Sequence, residues 1–142
     1  MAEALFSGRC YCGQATFKSN RSPETVAFCH CGDCKRWTGS PAPAFAAFEE
    51  GALTFTPALS AAISINSGVD RWNCPKCGSP LAARFDYLPD QIYIPLGLLD
   101  QADALPARLH CHAEKSLAWL HISDDLPRSV GTARAELNSN SS

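Results

Sequence analysis

The chain has 142 residues, 46% of them hydrophobic, with 12 basic and 14 acidic side chains and a net charge of −2. One core is the expectation for that length, and the near-neutral balance lacks the basic face of a nucleic-acid binder. No stretch approaches the ~20 apolar residues of a membrane helix. Met1 to Arg9 shows no basic start followed by an apolar run, so a cytoplasmic protein is expected.

Turn residues come often, and the segments between them are short. Ala15 and Phe17 alternate with polar neighbours, as do Leu53 and Phe55, then Ile63 and Ile65, the pattern of half-buried strands. A turn or two of helix is expected from Asp33 to Thr38, stopped by Gly39. Ala42 to Phe48 is rich in alanine, but Pro41 and Pro43 at its start favour an extended edge. Gln91 to Leu96, Arg108 to His112 and Leu117 to Ile122 read as further strands. No helix of ordinary length fits. The expected fold is therefore mainly β, a single domain of short antiparallel strands over residues 1–136. The polar end, 137–142 (LNSNSS), is expected to be disordered.

Seven of the eight cysteines fall into three clusters: Cys10 and Cys12; Cys29, Cys31 and Cys34; Cys74 and Cys77. Structural zinc takes four protein ligands, and an open zinc site keeps three. Four plus three is what this chain supplies. A disulfide framework belongs to small secreted domains short of a core, which this chain is not. A Cys-x-x-Cys redox centre normally opens a helix, whereas Cys77 is followed by Gly78, Ser79 and Pro80. Zinc is the expected cofactor.

Cys74-Pro75-Lys76-Cys77-Gly78 has the spacing of a zinc knuckle, in which turn N–H groups donate to the sulfurs and Gly78 supplies a left-handed backbone. Cys10 and Cys12, one residue apart, project from one face of an extended strand and complete a four-sulfur site with the knuckle. Spacing leaves swapped pairings open, such as the knuckle with Cys31 and Cys34. Cys29, Cys31 and Cys34 offer three thiolates within six residues but no fourth ligand. His30 points away from them on an extended segment, and Cys111 opposes His110 and His112 on its strand. Three thiolates leave a zinc site with one net negative charge, a poor activator of water but suited to a thiol from solution. Lys35 and Arg36 follow directly and can clamp carboxylates of a thiol-bearing peptide; the alternative is that both are solvated surface and the next residue, Trp37, is core.

Gly8-x-Cys10-x-Cys12-Gly13, Cys29-His30-Cys31-x-x-Cys34-Lys35-Arg36 with Gly39, and Arg71-x-x-Cys74-x-x-Cys77-Gly78-Ser79-x-Leu81 together resemble the glutathione-dependent formaldehyde-activating enzyme family, which includes centromere protein V. The likeness runs on through Gly97 to Asp100, Pro106, His110 and Trp119 to Asp125-Leu126-Pro127. It implies a β-tent fold and two zinc sites. Cys10, Cys12, Cys74 and Cys77 match the structural zinc, and Cys29, Cys31 and Cys34 the site beside the substrate. The implied activity is carbon–sulfur lyase chemistry, joining formaldehyde or a related small aldehyde to glutathione as S-hydroxymethylglutathione. In that scheme Lys35 or Arg36 holds a carboxylate, and His30 or His110 is the acid that protonates the new hydroxyl. One departure is Asn73, where the family places an aromatic just before the knuckle. The alternatives are a non-catalytic zinc module that binds a protein partner, and a site that stores or exchanges zinc.

Overall fold

In a computed structural model the described residues are 5–132. The expected polar tail at 137–142, and the 1–136 boundary, lie outside them. Among the described residues nine short strands make two sheets. β1 (Phe6–Arg9), β2 (Thr16–Ser19) and β5 (Leu53–Thr56) form a small antiparallel sheet in the order β1-β2-β5. The larger sheet combines β3 (Thr25–Cys29), β4 (Ala44–Glu49), β6 (Val69–Asn73), β7 (Pro80–Phe85), β8 (Gln91–Pro95) and β9 (Leu109–Cys111). Their order is β6-β7-β8-β4-β3-β9, antiparallel except for the parallel β3–β9 pair. The single α-helix among the described residues, α1 (Gly32–Thr38), follows β3 and ends at Gly39, whose left-handed φ of 76° lets its N–H reach the Lys35 carbonyl.

The period-2 alternation of the large sheet gives it two different faces. Ala46 and Phe48 of β4, Ile92 and Ile94 of β8 and Val26 of β3 pack with Phe17 of β2 and Leu99 into the main core. Neighbours one residue along, such as Ala27, Phe45, Ala83 and Tyr93, turn to the opposite face and wall a cavity. One face stabilises the fold and the other is left for chemistry.

Space is tightest at Gly8 in β1, where the turn after β8 closes on the small sheet. A Cβ there would land on the Phe17 ring and on the backbone oxygen of Leu98, which has no rotamer to escape into. Gly8→Ala is therefore expected to destabilise by ~1–3 kcal/mol. The check is a fall in the urea midpoint with the m-value unchanged.

The structure corrects several expectations. Ala42–Phe48 is extended, but its strand β4 lies inside the sheet between β8 and β3. The fully buried Ala46 and Ala47 let layers close on both faces, and Pro43 only has to accept, from Cys29 N–H at 2.8 Å. Leu117–Ile122 is not a strand; Leu120 N–H turns back to the Leu117 carbonyl, and Trp119 is exposed. The free edge of β9 is taken instead by the chain around Arg128, bridged to His110. Ile63 makes one bridge, with Arg71, and Ile63 and Ile65 are both exposed.

Candidate metal centre and the thiol-lined cavity

Cys10 and Cys12 lie in the turn after β1 rather than on an extended strand. Gly13, at φ 83°, folds that turn back so that its N–H meets the Cys10 carbonyl, and Arg9 Nη1 donates to the carbonyls of Cys10 and Tyr11. The Cys74–Cys77 turn between β6 and β7 uses Gly78 the same way, at φ 79°. The sulfurs of Cys10, Cys12, Cys74 and Cys77 all lie within 4.8 Å of one another. Cys10–Cys12 and Cys12–Cys74 are 3.6 and 3.8 Å apart. A tetrahedral zinc with ~2.3 Å bonds requires sulfur–sulfur edges of about 3.8 Å, so the donor set fits that ion.

Donors surround the sulfurs as well. Gln14 N–H points at Cys12, Ala15 N–H at Cys10, and Cys77 N–H at Cys74, all at 3.4–3.5 Å. The Ser79 hydroxyl, 3.1 Å from Cys77, with the Ser79 backbone, lowers that thiol to about 5. These contacts hold charge on sulfur, the state a metal requires. None of the eight cysteines is in a disulfide.

The second cluster is built differently. β3 ends at Cys29 and α1 starts just after Cys31, so the strand-to-helix turn brings Cys29, Cys31 and Cys34 to one end of a cavity of about 80 Å³. Cys29 and Cys34 sulfurs are 3.0 Å apart. That contact lowers Cys29 and raises Cys34, with burial raising both. Among the described residues only the four-cysteine group brings three or more ligand atoms within 4.8 Å of one another. The three-cysteine set shares a cavity without being equally converged. Cys111, paired in register with Cys29, and His112 lie on the same cavity. His112 joins Cys111 there because its φ of 50° breaks the strand alternation.

The remaining expected residues lie elsewhere. His30 does turn away from the cysteines, and His110 is with it. His30 Nε2 and His110 Nδ1 are 2.8 Å apart, and His110 Nε2 is 2.9 Å from Asp124 Oδ2. Both rings are buried and stack with Phe28. The carboxylate assigns the proton to His110 Nε2, so His110 Nδ1 accepts from His30 and His30 Nδ1 is left as a bare, buried acceptor. Asp124 is held down to about 2, first by the His110 hydrogen bond. Neither histidine walls the thiol cavity, and neither does Lys35 or Arg36. Lys35 Nζ is engaged by the Lys115 carbonyl at 2.7 Å, and Arg36 is exposed.

Sequence reasoning quoted Arg71 without a role and passed over Tyr87, and both wall the cavity with the cysteines. Period 2 along β6 would have shown Arg71 sharing a face with Val69, opposite the core residue Trp72. Trp37 is part of the support. It stacks on Phe45, lies under Arg71, and donates to Asn73 Oδ1 at 3.1 Å. Asn73 in turn donates to the Gly78 carbonyl, tying the knuckle to the helix that carries Cys34.

A two-sheet β protein with a four-cysteine cluster able to hold a metal, and beside it a thiol-lined cavity, is the class these features define. Residues 5–115 match the glutathione-dependent formaldehyde-activating enzyme family, and the chain belongs to that family. The fold is also similar to the crystal structure of a Rhodobacter sphaeroides protein, a structural-genomics target. That likeness has a TM-score of 0.51 at 16% identity and covers 86% of this chain and 98% of the other. No curated protein matches the chain. No helix among the described residues is long and apolar enough to cross a membrane.

Proposed function

We propose that the chain is a zinc-dependent carbon–sulfur lyase that joins glutathione, or another small thiol, to formaldehyde or a related small aldehyde. The observation that carries this reading is the cavity where Cys29, Cys31 and Cys34 meet Arg71 and Tyr87. Family membership points the same way. Zinc held by the three thiolates would supply a soft, open position that favours the deprotonated form of an incoming thiol. About 80 Å³ admits a few water-sized groups, so the thiol end of a tripeptide enters with the aldehyde while its arms stay outside.

The chain's own residues do the rest. Phe45, Phe85 and Leu88 exclude water from the reacting atoms. Tyr87, pushed up to about 12 by burial and by the nearby thiolates, keeps its proton at neutral pH and serves as the donor to the new hydroxyl. The His30–His110–Asp124 chain fixes the segment carrying Cys29 and Cys31 from behind. The four-cysteine zinc is structural.

The test is magnetisation-exchange NMR on glutathione, formaldehyde and S-hydroxymethylglutathione at equilibrium. Zinc-loaded protein is expected to raise the exchange rate above the uncatalysed one. Exchange unchanged at any protein concentration would remove this reading.

A further inference from the structure

Among the described residues Arg71 is the one arginine or lysine on the cavity wall. Its guanidinium carbon sits 4.7 Å from the Trp37 ring centre and 5.6 Å from that of Phe85. Nη1 is buried with no hydrogen-bond acceptor. Aromatic faces attract the charge, but they do not satisfy a buried N–H donor, which costs free energy until an acceptor arrives. Asp33, also on the cavity, accepts from Asn66 at 3.3 Å and makes no ion pair with Arg71 among the described residues. Arg84, on the strand next to Arg71's, shows the contrast, with Glu50 at 2.8 Å and Asp70 at 3.0 Å. Arg71 is flanked by two rings, its charge faces the cavity thiols, and its Nη1 is left without a hydrogen-bond partner.

We propose that Arg71 is an anion-holding residue, taking a negatively charged oxygen of the substrate while the three-cysteine site takes its sulfur. The inference rests on the thiol reading above. Two oxygens have this chemistry. One is a carboxylate of the thiol substrate. The other is the aldehyde oxygen, which gains the C=O π electrons as the sulfur lone pair forms the C–S bond, then takes up one proton. The thiol gives up one proton and the hydroxyl gains one, so nothing is oxidised or reduced. Arg71 keeps its protons throughout.

The test compares Arg71→Gln and Arg71→Lys with the unaltered protein, using glutathione and the carboxylate-free thiol cysteamine. If the carboxylate is held, Arg71→Gln weakens glutathione binding by at least about tenfold and leaves cysteamine unchanged. If the developing oxyanion is held, both affinities stay and the maximal exchange rate falls by about 100-fold with either thiol. Arg71→Lys recovers part of the loss in each case. A folded, zinc-loaded Arg71→Gln protein within twofold of the original in affinity and rate overturns the proposal. If that variant fails to fold, the unaltered protein labelled with ¹⁵N-arginine decides. The Arg71 guanidinium signal is expected to shift on adding acetate or glutathione, and a signal unmoved by both overturns the proposal. Failure of glutathione to bind the unaltered protein defeats the thiol reading separately, and the acetate titration still reports on Arg71.

Discussion

Cys74→Ser is expected to abolish cooperative folding at 25 °C and to lower the zinc content by one ion per chain. Cys74 is buried, and its sulfur belongs to the only group that fastens the β1–β2 turn to the β6–β7 turn through side chains of this kind among the described residues. The first turn belongs to the small sheet and the second to the large one. A four-thiolate zinc contributes on the order of 10 kcal/mol to folding, comparable to the whole stability of a domain this size. Chelating zinc from the unaltered protein should give the same loss of the thermal transition, reversed on adding zinc back. Circular dichroism melts with metal analysis check both. A cooperative melt in metal-free Cys74→Ser would show that packing alone holds the sheets together.

Cys34→Ser is expected to do the opposite, leaving the melt in place and lowering the exchange rate by at least about 100-fold. The fold has little need of the sulfur. Helix α1 is held at this point by the Cys34 carbonyl, which accepts from the Thr38 hydroxyl at 2.8 Å and survives the change. Serine fills nearly the same space. The Cys29–Cys34 contact is lost, and with it a soft ligand for the zinc proposed to bind the incoming thiol. Turnover that survives in a folded Cys34→Ser protein would place the chemistry elsewhere.

The cysteine spacing carried most of what was legible in the sequence. The knuckle, the left-handed Gly78, the short helix stopped by Gly39 and several alternating strands are local patterns, set within a few residues. Which pair joins the knuckle is not local. It depends on β1 and β6 being brought together by two different sheets, and here Cys10 and Cys12 are the partners. The place of β4 was hidden for a similar reason, because two prolines suggest an edge unless the neighbouring strands are known. Arg71 opens the run that leads into the knuckle, but the run assigns it no role, and Tyr87 carries no motif. They matter because β6 and the turn after β7 overhang the cysteines, a fact of topology. His30 and His110 looked usable because of their chain positions, yet strand alternation turns both to the face behind.

The most direct measurement is calorimetric titration of glutathione into zinc-loaded protein, with Cys34→Ser run in parallel. One-site binding to the unaltered protein that vanishes in the variant is the predicted result. Equal binding to both, or no binding to the unaltered protein, would contradict a thiol site built from Cys29, Cys31 and Cys34.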